Sequence, residues 1–220
     1  MMNNAGGISY KRILTTYILN NLRILKGKNP GDNYYDEYLR HFQRDGEDFA
    51  DQYLFAIENV MVRQPKRILE IGVRTGLSLC NMLSAYIDHS CIERIVLVDQ
   101  WADSYASPEI VKMNLRAMNF PVLPIEFIVG DSLKEVPKLE GEFDYILVDG
   151  DHDKKVAAKD LRNVVRLCAL GGVIVFDDIS EHGCDLMDVF EAFHTHIKND
   201  FECGWDMGGK GTAWAYRVKK

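Results

Sequence analysis

The sequence predicts an α/β protein: a mostly parallel, seven-stranded, Rossmann-like sheet with N-terminal helices and a C-terminal antiparallel hairpin. Three observations carry that prediction. Short apolar runs at 67–71, 94–98, 125–129, 143–148 and 172–176 alternate with stretches of helical periodicity. Arg67-Ile68-Leu69-Glu70-Ile71-Gly72-Val73-Arg74-Thr75-Gly76 reads as a strand, a tight turn and a helix entrance, with Leu77-Ser78-Leu79 opening the helix. The tail pairs a short strand near 200–204 with another over 212–218, across the turn Gly208-Gly209-Lys210-Gly211.

Taken in order, the chain opens with two amphipathic helix candidates. Leu14, Tyr17, Ile18, Leu22 and Leu25 recur at helical spacing, as do Phe49, Tyr53, Ala56, Ile57 and Val60. Between them, residues 27–33 form a loop by composition. Tyr34, Tyr35 and Tyr38, within 27–48, are either a lid over a substrate or ordinary surface packing. Residues 1–64 thus read as a helical extension packed on a core that spans 65–220. In the core, Leu79, Met82, Leu83 and Tyr86 mark one helix, and Ala157, Leu161, Val164, Val165 and Cys168 another, which Gly171-Gly172 is expected to stop as a C-cap. Leu186, Val189, Phe190, Phe193 and Ile197 mark a helix over 185–198. Strands that alternate with helices imply right-handed crossovers and a sheet covered on both faces.

Composition narrows the function. The 220 residues suffice for one domain with a sizeable core, and the apolar content of 47% suits a globular chain. A net charge of −7, with the charges interleaved, argues against nucleic acid as partner, since phosphate binding needs clustered Lys and Arg. The cysteines, Cys80, Cys91, Cys168, Cys184 and Cys203, are odd in number and form no C-x-x-C pair. They point to neither a disulfide framework nor a zinc knuckle, and fit a reducing, cytoplasmic setting. No secretory leader and no membrane span are expected.

The glycine turn indicates the ligand. Gly72 and Gly76 let the backbone bend and approach a bound molecule closely. Glu70 would repel a pyrophosphate but suits a cationic ammonium group, and the G-x-G-x-x-G pattern is missing. S-adenosylmethionine (SAM) is therefore expected rather than NAD. Acids recur at the strand ends: Glu70, Asp99, Asp149 and Asp177, with Asp131 one residue later than these, after Gly130. Asp99 lies 23 residues after Gly76, close to the separation at which an acid accepts ribose hydroxyls. Asp131 could accept from an adenine amino group, with Trp101 or Ser132 bordering the ring. Plainer roles compete: Asp131 and Ser132 as helix caps, Ser132 with Glu135 as a capping box, Trp101 as packing.

The chemistry is expected from two further segments, Val148-Asp149-Gly150-Asp151-His152-Asp153 and Val175-Phe176-Asp177-Asp178. Neighbouring strands lie about 4.8 Å apart, so Asp149, Asp177 and Asp178 would crowd at one rim of the sheet. Three such carboxylates repel one another unless a cation neutralises them, and all-oxygen ligands favour Mg²⁺. His152, three residues past Asp149, is the expected base, since an imidazole of ordinary pKa near 6.5 suits neutral pH. Asp151 and His182 are its rivals, and Asp153 is read as the cap of a helix beginning near Lys154.

These motifs, with Leu69-Glu70-Ile71-Gly72-Val73-Arg74-Thr75-Gly76, resemble the class I methyltransferases, and among them the macrolide-sugar (macrocin-type) O-methyltransferases and cephalosporin hydroxylase-like proteins. The similarity covers about residues 65–180. It implies SAM binding through Glu70, Gly72, Asp99 and Asp131, Mg²⁺ at Asp149, Asp177 and Asp178, and His152 as base. The expected function is SAM- and Mg²⁺-dependent O-methylation of a small hydroxylated acceptor such as a sugar or polyketide. A metal-independent methyltransferase and a SAM-binding protein without turnover are the alternatives. The expected partner is a small molecule, neither nucleic acid nor membrane, with homo-oligomer formation left open.

Overall fold

The computed structural model describes residues 10–28, 35–36, 39–40 and 51–219. The elements run α1 (Tyr10–Lys28), α2 (Asp51–Arg63), β1 (Arg67–Ile71), α3 (Leu77–Leu83), β2 (Arg94–Asp99), α4 (Pro108–Ala117), β3 (Ile125–Val129), α5 (Ser132–Glu135), β4 (Phe143–Val148), α6 (Lys154–Val165), β5 (Cys168–Asp177), α7 (Met187–Ile197), β6 (Phe201–Asp206) and β7 (Thr212–Arg217). The seven strands form one sheet in the order β3-β2-β1-β4-β5-β7-β6. β1 to β5 pair in parallel, and β7 runs antiparallel between β5 and β6. Strand order reverses between β1 and β4, which opens a crevice at their carboxyl ends.

Alternate side chains of the central strands divide the core in two. Ile68, Ile95, Leu97, Tyr145, Val173 and Val175 face α1 to α4, while Leu69, Ile71, Val96, Val98, Ile146, Val148, Ile174 and Phe176 face α6 and α7. Burial on both faces explains the near-continuous apolar runs of these strands. Each fully buried Leu, Ile or Val contributes roughly 1.5–3 kcal/mol relative to exposure. No helix among the described residues is long and apolar enough to cross a membrane.

Helix α1 lays Ile18, Leu22 and Leu25 into the first core layer, and buried Asn21 donates to Asn81 Oδ1 of α3 at 2.9 Å. Helix α2 stacks Phe55 on Trp214 of β7, with ring centroids 4.7 Å apart, and Asn59 donates to the Tyr216 hydroxyl at 2.7 Å. Tyr35 is buried in the first core layer, and its hydroxyl accepts from Asn114 of α4 at 2.6 Å. Tyr34, Tyr38, Phe49 and the loop 29–33 lie outside the described residues. Gly27 and Lys28, read as loop, form the last residues of α1.

Three local expectations are corrected. Gly171-Gly172 does not cap a helix: α6 ends at Val165, and both glycines lie inside β5 together with Cys168. The reason is a register shift where β5 meets β4. Gly171 has φ +79°, and a Cβ on Gly172 would stand 2.9–3.1 Å from the carbonyl oxygens of Ala169, Phe143 and Asp144. The capping box does not form, because Asp131 is the N-cap of α5, accepting from the Leu133 amide. Ser132 donates instead to Asp160 at 3.0 Å, and Glu135 pairs with Lys138. The first core helix stops at Leu83, leaving Tyr86 beyond it. Asp153 caps α6 as expected, accepting from the amides of Lys155 and Val156.

Candidate active site

The strand ends of β1, β2, β4 and β5 open into one cavity of about 840 Å³. At its centre, Ile71 passes into Gly72, whose φ is +83° and whose amide donates to Val98 O at 3.0 Å. A Cβ on Gly72 would meet the carbonyl oxygen of Asp149 at 1.7 Å, so only glycine fits where β1 and β4 converge. Gly76 has another task. It is the left-handed N-cap of α3, where a side chain would press on Val111 of α4, and it does not line the cavity.

Glu70 is buried beneath the turn and accepts from the Ser78 hydroxyl. Burial pushes its carboxyl up to about 8, helped by the charges of Asp149 and Asp99 and opposed by Ser78. A buried acid with this pKa is ready to ionise when a cation arrives. Asp99 is already engaged: Oδ2 accepts from the amides of Val73 (2.7 Å) and Arg74 (2.8 Å), and Oδ1 from that of Trp101 (2.6 Å). A carboxylate has about four acceptor positions, so one remains, on Oδ1, for a ligand hydroxyl.

Trp101 lies outside the cavity lining. Its backbone is left-handed (φ +45°), its indole donates to Arg74 O at 2.9 Å, and its ring packs near Phe127. Gly72, Asp99, Asp131 and Ser132 line the cavity, whereas Glu70, Gly76 and Trp101 do not.

At the other end, β4 and β5 bring Asp149, Asp177 and Asp178 together, with carboxylate oxygens within 4.8 Å of one another. Each has its own electrostatic setting. Burial pushes Asp177 well up, aided by the charges of Asp149 and Asp178, while Thr212 donates to its Oδ1 at 3.0 Å. Burial also raises Asp149, with His152 opposing. Burial would raise Asp178 too, but His152 and Lys210 outweigh it and hold that carboxyl low. His152 Nε2 lies 2.9 Å from Asp178 Oδ2 and 4.0 Å from Asp149 Oδ1. Contacts with Asp149 and Asp178 push the imidazole up to about 10, against its partial burial. These contacts favour the imidazolium, whereas the sequence alone suggests a ring of ordinary pKa.

Several participants carry no signal in the sequence motifs. Lys210 lines the cavity with its ammonium 2.8 Å from Asp178 Oδ1. Tyr53 and Ala56 bring α2 to the cavity wall, and Cys184 joins His152 and Asp178 in a second convergent set of donors. Asp151 also lines the cavity, but its Oδ1 accepts from the Asp153 amide at 2.9 Å. His182 does not line it. As donors, the three carboxylates fit a hard divalent ion in type and spacing. In charge they are already partly answered, because Lys210 and His152 stand on the two oxygens of Asp178.

An open α/β sheet with this strand order and a glycine turn facing acids across the switch point defines a nucleotide-type enzyme site. Residues 69–179, half of the chain, match the family described as "Methyltransferase domain", and the chain belongs to that family. Solved structures agree in fold. Cofactor-bound Rv0187 from MTB is 22% identical, with 78% of this chain and 81% of that chain covered at a TM-score of 0.61. The O-methyltransferase TomG from Streptomyces achromogenes, in complex with SAM, is 22% identical over 77% and 80%, with a TM-score of 0.60. SAH-bound PaMTH1, a methyltransferase from Podospora anserina, is 16% identical over 98% and 99%, with a TM-score of 0.63. The protein is a methyltransferase.

Proposed function

We propose that this protein transfers the methyl group of SAM to a hydroxyl of a small acceptor. The observation that carries the reading is the shared cavity: the glycine turn and Asp99 line one part, the Asp149–Asp177–Asp178 cluster with His152 another. Its volume of about 840 Å³ lies within the range of cofactor and ligand pockets. The family and the SAM- and SAH-bound structures of like fold support the cofactor. Within the family, the motif Val148-Asp149-Gly150-Asp151-His152 supports a macrocin-type or cephalosporin hydroxylase-like member, and a sugar- or polyketide-like acceptor is proposed by analogy with that group.

In this reading Glu70, beneath the turn, stabilises the ammonium of the methionyl group, and Gly72 admits the backbone-close approach of that portion. Asp99 takes a ribose hydroxyl, and Asp131 and Ser132 border the adenine. Tyr53 and Ala56 belong to the acceptor side, so residues 1–64 contribute to acceptor choice while 65–220 carry the cofactor. His152 in its neutral form accepts the acceptor proton on the ring nitrogen turned away from Asp178, and Asp178 stabilises the imidazolium that results. The acceptor oxygen attacks the methyl carbon, the sulfur–methyl bond breaks, and S-adenosylhomocysteine (SAH) leaves with the electron pair on sulfur. Asp149, Asp177 and Asp178 offer the donors that a Mg²⁺ ion would need, and an ion held there would lower the pKa of an acceptor hydroxyl, but Lys210 and His152 already stand on the oxygens of Asp178.

Thermal unfolding with SAH or NAD, followed by an acceptor panel with methyl-labelled SAM, tests the reading. A ligand at a hundredfold over its Kd adds about 2.7 kcal/mol, which for a chain of this length raises Tm by about 5–10 °C. The rise is expected with SAH and not with NAD. Saturating SAH without effect would remove the cofactor assignment, and SAH binding without label transfer to any hydroxylated acceptor would leave a binding protein.

A further inference from the structure

A lysine in a glycine-rich hairpin turn is ordinarily a solvated surface charge. Lys210 is held otherwise. Its turn is bolted to the segment after β5: the amides of Ile179 and Ser180 donate to the carbonyls of Gly211 (3.2 Å) and Lys210 (2.8 Å), and the Ser180 hydroxyl donates to that of Gly209 (2.7 Å). Gly211, at φ +78°, lies so near Ser180 that a Cβ would stand 2.7 Å from its amide nitrogen. This backbone delivers the Lys210 ammonium into the cavity, 2.8 Å from Asp178 Oδ1. Asp178 in turn shares a cluster in which all three carboxylates approach within 4.8 Å. A divalent ion using Asp178 must come within a few ångströms of that ammonium and meet like-charge repulsion, or displace it.

We infer that Lys210 is the resident counter-ion of the Asp149–Asp177–Asp178 cluster, and that methyl transfer proceeds without a divalent metal. The inference rests on the proposed reading of the cavity as a SAM and acceptor site. An ammonium fixed beside the acceptor end performs the electrostatic task otherwise given to a metal: it stabilises negative charge developing on the acceptor oxygen as His152 takes its proton. It does so from the chain itself, at a position set by backbone hydrogen bonds, with no reorganisation during the step. The lysine also explains how three acids coexist at one rim of the sheet.

Titration of Mn²⁺ into the full-length protein, followed by electron paramagnetic resonance of the free ion, tests this, with SAH calorimetry on the same samples. Wild type is expected to leave Mn²⁺ free up to millimolar concentration and to bind SAH equally with or without EDTA. Lys210→Met and Lys210→Gln are expected to bind Mn²⁺ at least tenfold more tightly than wild type, and Lys210→Arg to exclude it again. Submillimolar Mn²⁺ binding by wild type overturns the inference without recourse to any variant. So do folded Met and Gln variants that still leave Mn²⁺ free. Absence of SAH binding by wild type is a different failure: it removes the proposed function and leaves the Mn²⁺ comparison readable.

Discussion

The α-carbon of Gly72 packs directly on the carbonyl of Asp149, so closely that a methyl group there would stand 1.7 Å from the oxygen. The turn at the end of β1 and the acid-bearing end of β4 are thereby one structural unit. Gly72→Ala forces them apart and also places a side chain at φ +83°.

For Gly72→Ala the expected cost is about 2–4 kcal/mol in urea unfolding, with SAH binding weakened at least a hundredfold. A variant that unfolds like wild type and keeps its SAH affinity would show that the two strand ends move independently.

Under the proposed function, the imidazole of His152, pushed up to about 10 by Asp149 and Asp178, sets the pH dependence of turnover. The base must be neutral, so kcat is expected to rise through pH 8 and 9 toward 10. An ordinary histidine would have levelled off above about 7. His152→Gln is expected to lose most activity and the alkaline rise with it. A profile flat from pH 7 to 9 in wild type and retained by an active His152→Gln variant would transfer the base role to Asp151.

Glu70 makes stability itself depend on pH. Its carboxyl titrates at about 8 in the folded chain, against an ordinary 4.5. Between those values the unfolded chain has lost the proton and the folded one keeps it, so stability falls as pH rises through that window. The full effect is on the order of 5 kcal/mol. Glu70→Gln is expected to flatten the dependence between pH 5 and 8. SAH, whose ammonium favours the ionised carboxylate, is expected to raise Tm more at pH 8 than at pH 6. Equal slopes in wild type and variant would place the titration elsewhere.

Asn114 connects the N-terminal packing to the glycine turn, donating to the Tyr35 hydroxyl at 2.6 Å and to Thr75 O at 2.9 Å. Asn114→Ala is expected to destabilise by about 2–3 kcal/mol, since both contacts are buried. A loss below about 0.5 kcal/mol in urea unfolding would mean that this bridge contributes nothing to coupling the two regions.

The sheet was legible because its central strands are buried on both faces: 67–71 and 143–148 coincide with β1 and β4 to the residue, and the half-exposed edge run 125–129 with β3 as well. The start of β5 was not. Cys168 continues the helical spacing of Leu161, Val164 and Val165 only by coincidence of period, and the two glycines that follow mimic a cap. In the candidate site, the gathering of Asp149, Asp177 and Asp178 followed from strand adjacency alone. Lys210 required the antiparallel register that sets Thr212 opposite Asp177, and so brings the preceding turn over the cluster. The engagement of Asp99 by three amides and the turning of Trp101 away from the cavity depend on loop backbone, which residue types alone do not specify.

Tyr53 and Ala56 reach the cavity from α2, while every acid around it is carried by the sheet's strand ends and the loops that follow them. Under the proposed function this is a division of labour: one helix writes the choice of acceptor, and the sheet writes the reaction. On that reading, exchange of α2 residues is expected to change the acceptor taken while the acids at the strand ends stay in place.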